Sequence, residues 1–229
     1  MALYAISDLH LALTTDKPMD IFGDKWIKHD EKIKENWISK IKEEDTILIA
    51  GDISWSMRSS DSKGDLDWIN DLPGKKIISK GNHDYWWSGI SKLNNMYENM
   101  KFLQNNFYVY EDYAICGSRG WILEGSEKFT EKDKKIFNRE IIRLRLSLDK
   151  AKEAGYKKFI VMIHYPPISE KIEVSAFTEI FKEYGVEKVI YGHLHGPSLA
   201  TAFNGVYEGI DYIITSCDYL DFDPIKILE

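Results

Sequence analysis

Thiol chemistry has little to work with in this chain. Cys116 and Cys217 are its only cysteines, so no disulfide framework and no thiolate metal cluster is implied, and both read as reduced, buried thiols. No apolar run approaches the roughly 18 residues of a membrane span. The motif Asp8-Leu9-His10 starts so early that no secretory signal is expected ahead of it, and the expected location is cytoplasmic. GxGxxG, HExxH and CxxC are all missing, and Gly74-Lys75 lacks the rest of a Walker phosphate loop. Basic charge is short as well: 30 Lys and Arg against 37 Asp and Glu leave a net charge of -7. That balance gives no footprint for duplex nucleic acid or for an anionic membrane surface. The 6 prolines and 15 glycines fall mostly at element ends, and no Gly/Ser run, Pro-rich stretch or charge block marks a linker. A length of 229 residues then fits one domain, residues 1–229, with a sizeable buried core.

What the chain has is a concentration of histidine. Five of its 6 histidines lie in Asp8-Leu9-His10, Gly81-Asn82-His83-Asp84, Met162-Ile163-His164 and Gly192-His193-Leu194-His195, while Gly51-Asp52 adds a further carboxylate. Each segment follows an apolar, β-branched run, at residues 3–6, 47–50, 77–78, 159–163 and 189–191, which places the polar residues just past strand ends. Loops there converge on one rim of a sheet, where α/β folds hold their ligands. Taken singly, an Asp after a strand is usually a turn former and a lone His a satisfied core residue. Together, carboxylates, a carboxamide and imidazoles from five loops form a donor set for hard-to-borderline cations. The donors are too many for one ion and fit two cations that share a carboxylate and a water.

In order and content these segments resemble the calcineurin-like metallophosphoesterase superfamily, whose pattern is D-x-H, GD, GNH(D/E), a lone His and GHxH. The resemblance covers about residues 2–195. It implies that Asp8, His10, Asp52 and His195 hold one metal and that Asp52, Asn82, His164 and His193 hold the other, with Asp52 bridging and His83 as the outer acid. It also implies a four-layer α/β/β/α sandwich with a central β-sandwich and the dinuclear site at the strand ends. The protein Ser/Thr phosphatase branch continues GDxxDRG, whereas this chain runs Gly51-Asp52-Ile53-Ser54-Trp55-Ser56, which argues against a protein phosphatase.

Between the motifs, apolar spacing predicts helices over about 24–43, 65–72, the stretch from 84 to about 100, 131–154 (ended by Gly155) and 175–184 (capped by Gly185). Strands are expected at 107–110 and 113–116 as a hairpin, at 158–163 and 188–191, and after His195 at 201–203, 206–208, 211–215 and 225–228. Asp84 offers either a hydrogen bond to His83 or a cap for the helix after it, the cap being the commoner case. Lys75-Lys76 and Lys157-Lys158 read as solvated turn charges.

The chemistry follows from charge. Two divalent cations, less two carboxylates and a hydroxide, leave a site of about +1 in an acidic protein, which suits a phosphate ester. Metal binding lowers the pKa of water from roughly 15.7 to about 7, on the order of 12 kcal/mol of nucleophile preparation. His83 remains the candidate proton donor to the leaving alkoxide. Arg119, in the Gly117-Ser118-Arg119-Gly120-Trp121 loop, is a candidate phosphate contact, with Arg58 as its competitor. Trp55, Tyr85, Trp86 and Trp87 offer either an aromatic wall for a flat leaving group or plain core packing. The expectation is a phosphoesterase for a small phosphate ester, mono- or diester, with two di- or trivalent ions of manganese, iron or zinc. Its alternatives are a scaffold module that keeps the fold without turnover, and a nuclease of the same superfamily.

Overall fold

The computed structural model describes residues 1–169, 171 and 174–229. Among the described residues, eleven strands lie in two sheets. In chain order the elements are β1 (Leu3–Ala5), 3-10 turns at Met19–Phe22 and Asp24–Trp26, α1 (His29–Lys40), β2 (Thr46–Ile49), α2 (Lys63–Asn70), β3 (Lys75–Ser79), α3 (Ile90–Asn94), β4 (Met100–Leu103), β5 (Tyr108–Tyr110) and β6 (Tyr113–Ser118). There follow α4 (Glu131–Glu153), β7 (Lys158–Ile163), α5 (Ala176–Tyr184), β8 (Val186–Tyr191), a 3-10 turn at Gly196–Thr201, β9 (Gly205–Tyr207), β10 (Ile210–Ile214) and β11 (Ile225–Leu228). One sheet runs β11-β1-β2-β3-β4 and the other β5-β6-β7-β8-β10-β9, parallel at their centres and antiparallel at β11, β5 and β9.

Both faces of the central strands are buried, which is why those strands read as unbroken apolar runs. Leu3, Ala5, Leu48, Ile77, Ile160, Met162 and Ile190 point between the sheets. Their neighbours Tyr4, Ile6, Ile47, Ile49 and Ile78 face the other way, onto Ile33, Trp37 and Ile41 around α1, Leu66 and Ile69 of α2, and Leu93 of α3. On the far side Phe159, Val161, Ile163, Val189 and Tyr191 meet Phe137, Leu144 and Leu148 of α4 and Phe177, Ile180 and Phe181 of α5. The period-two alternation therefore builds three apolar layers inside the four-layer sandwich. Local chemistry sets the helix starts. Thr130 and Asp133 form a reciprocal capping box at α4, and Ser175 and Thr178 form one at α5.

Four expectations fail locally. The 24–43 helix is broken before His29, with Lys28 in the left-handed region, because Trp26 turns inward to pack on His10 and His195. The 84–100 stretch keeps only the short α3, and its end is strand β4. Residues 201–203 are not a strand, since Gly196-Pro197 starts a 3-10 turn instead. Lys76, expected in solvent, is 0 % exposed, and its ammonium donates to the carbonyls of Leu72 and Asn70.

Burial pushes Lys76 down to about 8 from the ordinary 10.5. The unfolded lysine thus keeps its proton to higher pH than the folded one, and between those values the unfolded chain binds more protons, so stability rises with pH. Denaturant titrations across pH 7 to 11 should show the wild type gaining on Lys76→Met between about pH 8 and 10.5, by at most about 1.4 kcal/mol per pH unit. A constant difference between the two proteins would show that the buried amine keeps its ordinary affinity for protons.

Candidate metal centre

The two sheets meet beyond the ends of β1 and β10. Ser7 N–H donates to the Thr215 carbonyl at 2.7 Å, and the hydroxyls of Ser7 and Thr215 are 2.8 Å apart. This junction gathers the loops after β1, β2, β3, β7, β8 and β10 on one rim. The loops then bond to each other: Asp8 N–H to the Gly51 carbonyl, His10 N–H to the Asp52 carbonyl and Gly192 N–H to the His164 carbonyl. Asp8, His10, Asp52 and His193 all take left-handed backbone conformations, with φ of 60°, 45°, 53° and 74°. Such strain in non-glycine residues persists only where surrounding structure compels it, and it clusters at functional sites.

All seven candidate metal ligands lie on this rim, and five of them fall into two groups that share Asp8. Asp8, His10 and His195 form one cluster, and Asp8, Asp52 and His164 another. His10 Nε2 is 3.2 Å from His195 Nε2, and His195 Nε2 is 3.5 Å from Asp8 Oδ1. Asp8 Oδ1 is also 3.7 Å from His164 Nδ1, and Asp52 Oδ2 is 3.8 Å from His10 Nε2 and 3.4 Å from His164 Nε2, so both carboxylates reach imidazoles of both groups. Asn82 Oδ1 is 2.7 Å from His164 Nε2 and 2.9 Å from His193 Nδ1. Acceptor atoms that face one another at these distances need protons or cations between them. Two imidazoles are also turned for that purpose by the bonds their other nitrogens make. His164 Nδ1 is 3.0 Å from the Ala50 carbonyl and His195 Nδ1 is 2.8 Å from Asp218 Oδ1, each leaving Nε2 for the site. The donors present fit a pair of hard-to-borderline cations.

The charges agree. Burial alone would raise the Asp8 and Asp52 carboxyls, but imidazoles draw both below the usual carboxylate range: His195 and His164 at Asp8, and His164, His10 and His83 at Asp52. Burial would likewise favour neutral histidines, and it holds His10 down to about 4 and His193 down to about 3. At His164 and His195 the carboxylates win instead, lifting the first to about 9 beside Asp52 and Asp8 and the second to about 10 beside Asp218 and Asp8. Those two protons sit where a cation's charge would sit.

His83 stands at the edge of the cluster. Its backbone N–H donates to Asp52 Oδ1 at 2.8 Å, and its ring packs on Trp55 with centroids 4.4 Å apart. Trp55 in turn stacks on His10 at 4.9 Å, while Trp86 is buried in the core and Tyr85 is exposed. Arg119 lies behind the rim. Its backbone carbonyl accepts from both His164 N–H and Tyr165 N–H, and its guanidinium is 3.5 Å from buried Glu140 and 4.4 Å from the Trp121 ring. Arg58 is exposed.

Asp84 caps no helix. Its fully buried carboxylate accepts the N–H groups of Asp52 at 3.0 Å, Ile53 at 2.9 Å and Gly81 at 2.7 Å, and the indole N–H of Trp86 at 3.0 Å. It ties the loop after β2 to the loop after β3. Burial and the neighbouring Asp52 charge raise it to about 6. Three further supports escape the sequence motifs: Asp218, Ser216, whose hydroxyl donates to Asp8 Oδ2 at 3.0 Å, and Tyr165, whose ring lies 4.1 Å from that of His193. Ser216 and Asp218 follow the apolar strand β10 just as the ligands follow theirs, a signal the sequence does contain.

Residues 1–197 match the family model for calcineurin-like phosphoesterase. The Gene 66 protein of Mycobacterium phage L5 is 24 % identical over 211 residues, covering 90 % of this chain and 84 % of that protein. Among solved structures, TT1561 of Thermus thermophilus superposes with a TM-score of 0.62 at 10 % identity, covering 99 % and 97 % of the two chains. Phosphopantetheinyl hydrolase of Mycobacterium tuberculosis superposes at 0.59 and 15 % identity, covering 99 % and 95 %.

Two glycines allow the close approach. A Cβ on Gly192 would overlap Asp8 Oδ2, and one on Gly81 would overlap the Asp52 carboxylate and backbone nitrogen. Gly192→Ala should therefore displace Asp8 and cut bound metal by at least about 10-fold in affinity, the usual scale for disturbing a ligand's setting, as read by metal analysis after dialysis. Wild-type metal content in Gly192→Ala would separate Asp8 from the metal centre.

Proposed function

Since the chain belongs to the calcineurin-like phosphoesterase family, we propose that it hydrolyses a small phosphate ester at two metal ions. Asp8, His10, Asp52 and His195 hold one ion, and Asp52, Asn82, His164 and His193 hold the other. The observation that supports this reading is that Asp52 Oδ2 lies 3.8 Å from His10 Nε2 and 3.4 Å from His164 Nε2, one imidazole from each ligand set. Bound there, the ions supply a water ionised at neutral pH and positive charge for the phosphoryl oxygens. The protein's own part is to aim the ligands, through the Ala50 carbonyl at His164 and Asp218 at His195, and to deliver a proton. His83 is the donor of that proton: burial pulls its imidazole below the usual range, while the charge of Asp52 works the other way and favours the protonated form. It is beside Asn82 yet outside both clusters, and Trp55 and the Asp52 bond fix its ring and backbone. As the ester bond breaks, the leaving oxygen takes the His83 proton. Arg119 is offered as a contact for a substrate oxygen only if it turns from Glu140, the partner of its guanidinium. Residues 1–229 act as one unit on a small phosphorylated substrate, without a duplex nucleic acid partner.

Asp52→Ala should lose both ions together, measured as metal equivalents on the purified variant against two on the wild type. One equivalent retained would remove the bridging role.

His83→Ala should keep its metals and bind inorganic phosphate nearly as before, yet turn over roughly 10²- to 10⁴-fold more slowly. The loss should be largest for an alkyl phosphate, whose alkoxide needs the proton, and smallest for p-nitrophenyl phosphate, whose phenolate leaves unaided. His164→Ala should instead weaken metal binding and slow both substrates alike. Equal losses in His83→Ala would make that histidine a positioning residue.

A further inference from the structure

A cavity of about 640 Å³ opens beside the metal centre, and His193 is part of its wall. Phosphate alone needs little of that space, and the volume is within the roughly 300–1,000 Å³ of pockets that take whole small molecules. Its lining mixes polar and apolar surface, and the apolar part comes from Trp121, Leu123, Phe137, Tyr165, Ile168 and Leu194 among others. Glu124 and Lys128 carry the only fixed charges among the described lining residues, one of each sign. A second phosphate would find no excess of positive charge here, whereas an uncharged ring system would be desolvated on apolar surface.

The aromatic part of the wall is set in advance. Trp121 donates its indole N–H to Asp133 Oδ1 at 2.9 Å, and Asp133 is itself fixed in the capping box of α4. The Arg119 guanidinium carbon lies 4.4 Å from the Trp121 ring, held by the buried Glu140 carboxylate 3.5 Å away. Tyr165 is 5.0 Å from Trp121 and 4.1 Å from His193, so a row of rings leads from the metal centre into the cavity. Orientation locked before binding is what lets a stacking surface contribute affinity.

We infer that this cavity receives the leaving group of the substrate, and that the substrate is a phosphate ester carrying an uncharged aromatic ring system seated along Tyr165 and Trp121. The inference rests on the phosphoesterase reading of the adjacent centre and names the class of ester it takes.

The test is calorimetric binding to the metal-loaded protein of three non-hydrolysable probes: inorganic phosphate, methylphosphonate and 1-naphthylmethylphosphonate. In the wild type the naphthyl compound should bind at least about 10-fold more tightly than methylphosphonate, the scale of one aromatic stacking surface. Trp121→Ala should erase most of that ratio and change phosphate binding by less than about twofold, while Trp121→Phe should restore most of it. Gly125→Trp gives the same readout without removing a packed residue: Gly125 lines the cavity and a Cβ there meets no atom within 4 Å, so the added indole fills the space and should abolish the naphthyl preference. Equal binding of the two phosphonates to the wild type would overturn the inference and leave the metal centre standing. So would an unchanged preference in both Trp121→Ala and Gly125→Trp, or a parallel loss of phosphate binding in Trp121→Ala. If phosphate itself failed to bind the metal-loaded wild type, the phosphoesterase reading would fall and this inference with it.

Discussion

Two carboxylates without water are the constraint around which this protein is arranged. Asp8 and Asp52 are 0 % and 1 % exposed, and an uncompensated buried carboxylate costs several kcal/mol. Each is therefore surrounded by donors. Asp8 accepts the His193 backbone N–H and the Ser216 hydroxyl, and Asp52 accepts the His83 backbone N–H. Neutral donors do not cancel a charge, so the remaining offset comes from protons on His164 and His195. A cation bound in place of those protons supplies the same compensation with more charge, and metal uptake then releases protons and strengthens as pH rises. The electrostatic problem that folding creates and the affinity that function needs are the same quantity.

That arrangement requires main chain to approach main chain very closely. Four candidate ligand residues sit in left-handed turns, and Gly81 and Gly192 lie against the carboxylates with no room for a side chain. Strain of this kind is of order 1–3 kcal/mol per residue and must be offset elsewhere. Asp84 is one such offset, since a single carboxylate satisfies three backbone donors drawn from two loops. The junction of Ser7 with Thr215 is another, because it joins the two sheets at the rim the ligands share. The stiffness of the sandwich beneath, apolar on both faces of both sheets, allows the loops to hold this geometry.

Legibility in the sequence follows the same physics. Strands buried on both faces announce themselves as apolar runs, so the pattern delimits β7 to the residue and α4 to within one at its end. The ligand motifs are legible because they are dense and each follows such a run. What cannot be read are features decided by tertiary partners. Trp26 breaks an otherwise periodic helix to reach two histidines, and Lys76 is buried because two carbonyls at the end of α2 await its ammonium. Local rules make Asp84 a helix cap, whereas two of its actual partners are backbone groups 31 and 32 positions away in the chain. Arg119 illustrates the same limit: its loop suggests a phosphate contact, while the fold gives it Glu140 and Trp121.

The segment beyond the family match also contributes to the centre. The match ends at residue 197, yet Asp218 orients His195 and Ser216 bonds Asp8 from the loop after β10. β10 reaches that position by pairing in parallel with β8, the strand that delivers His193 and His195, and β11 pairs with β1, the strand that delivers Asp8 and His10. The C-terminal strands thus register both histidine-bearing loops against each other from opposite sheets. An imidazole held by Asp218 at Nδ1 presents Nε2 to a cation, and its basicity as a ligand rises with the carboxylate behind it. The motifs supply the donor atoms, and this last stretch of chain decides where two of them point.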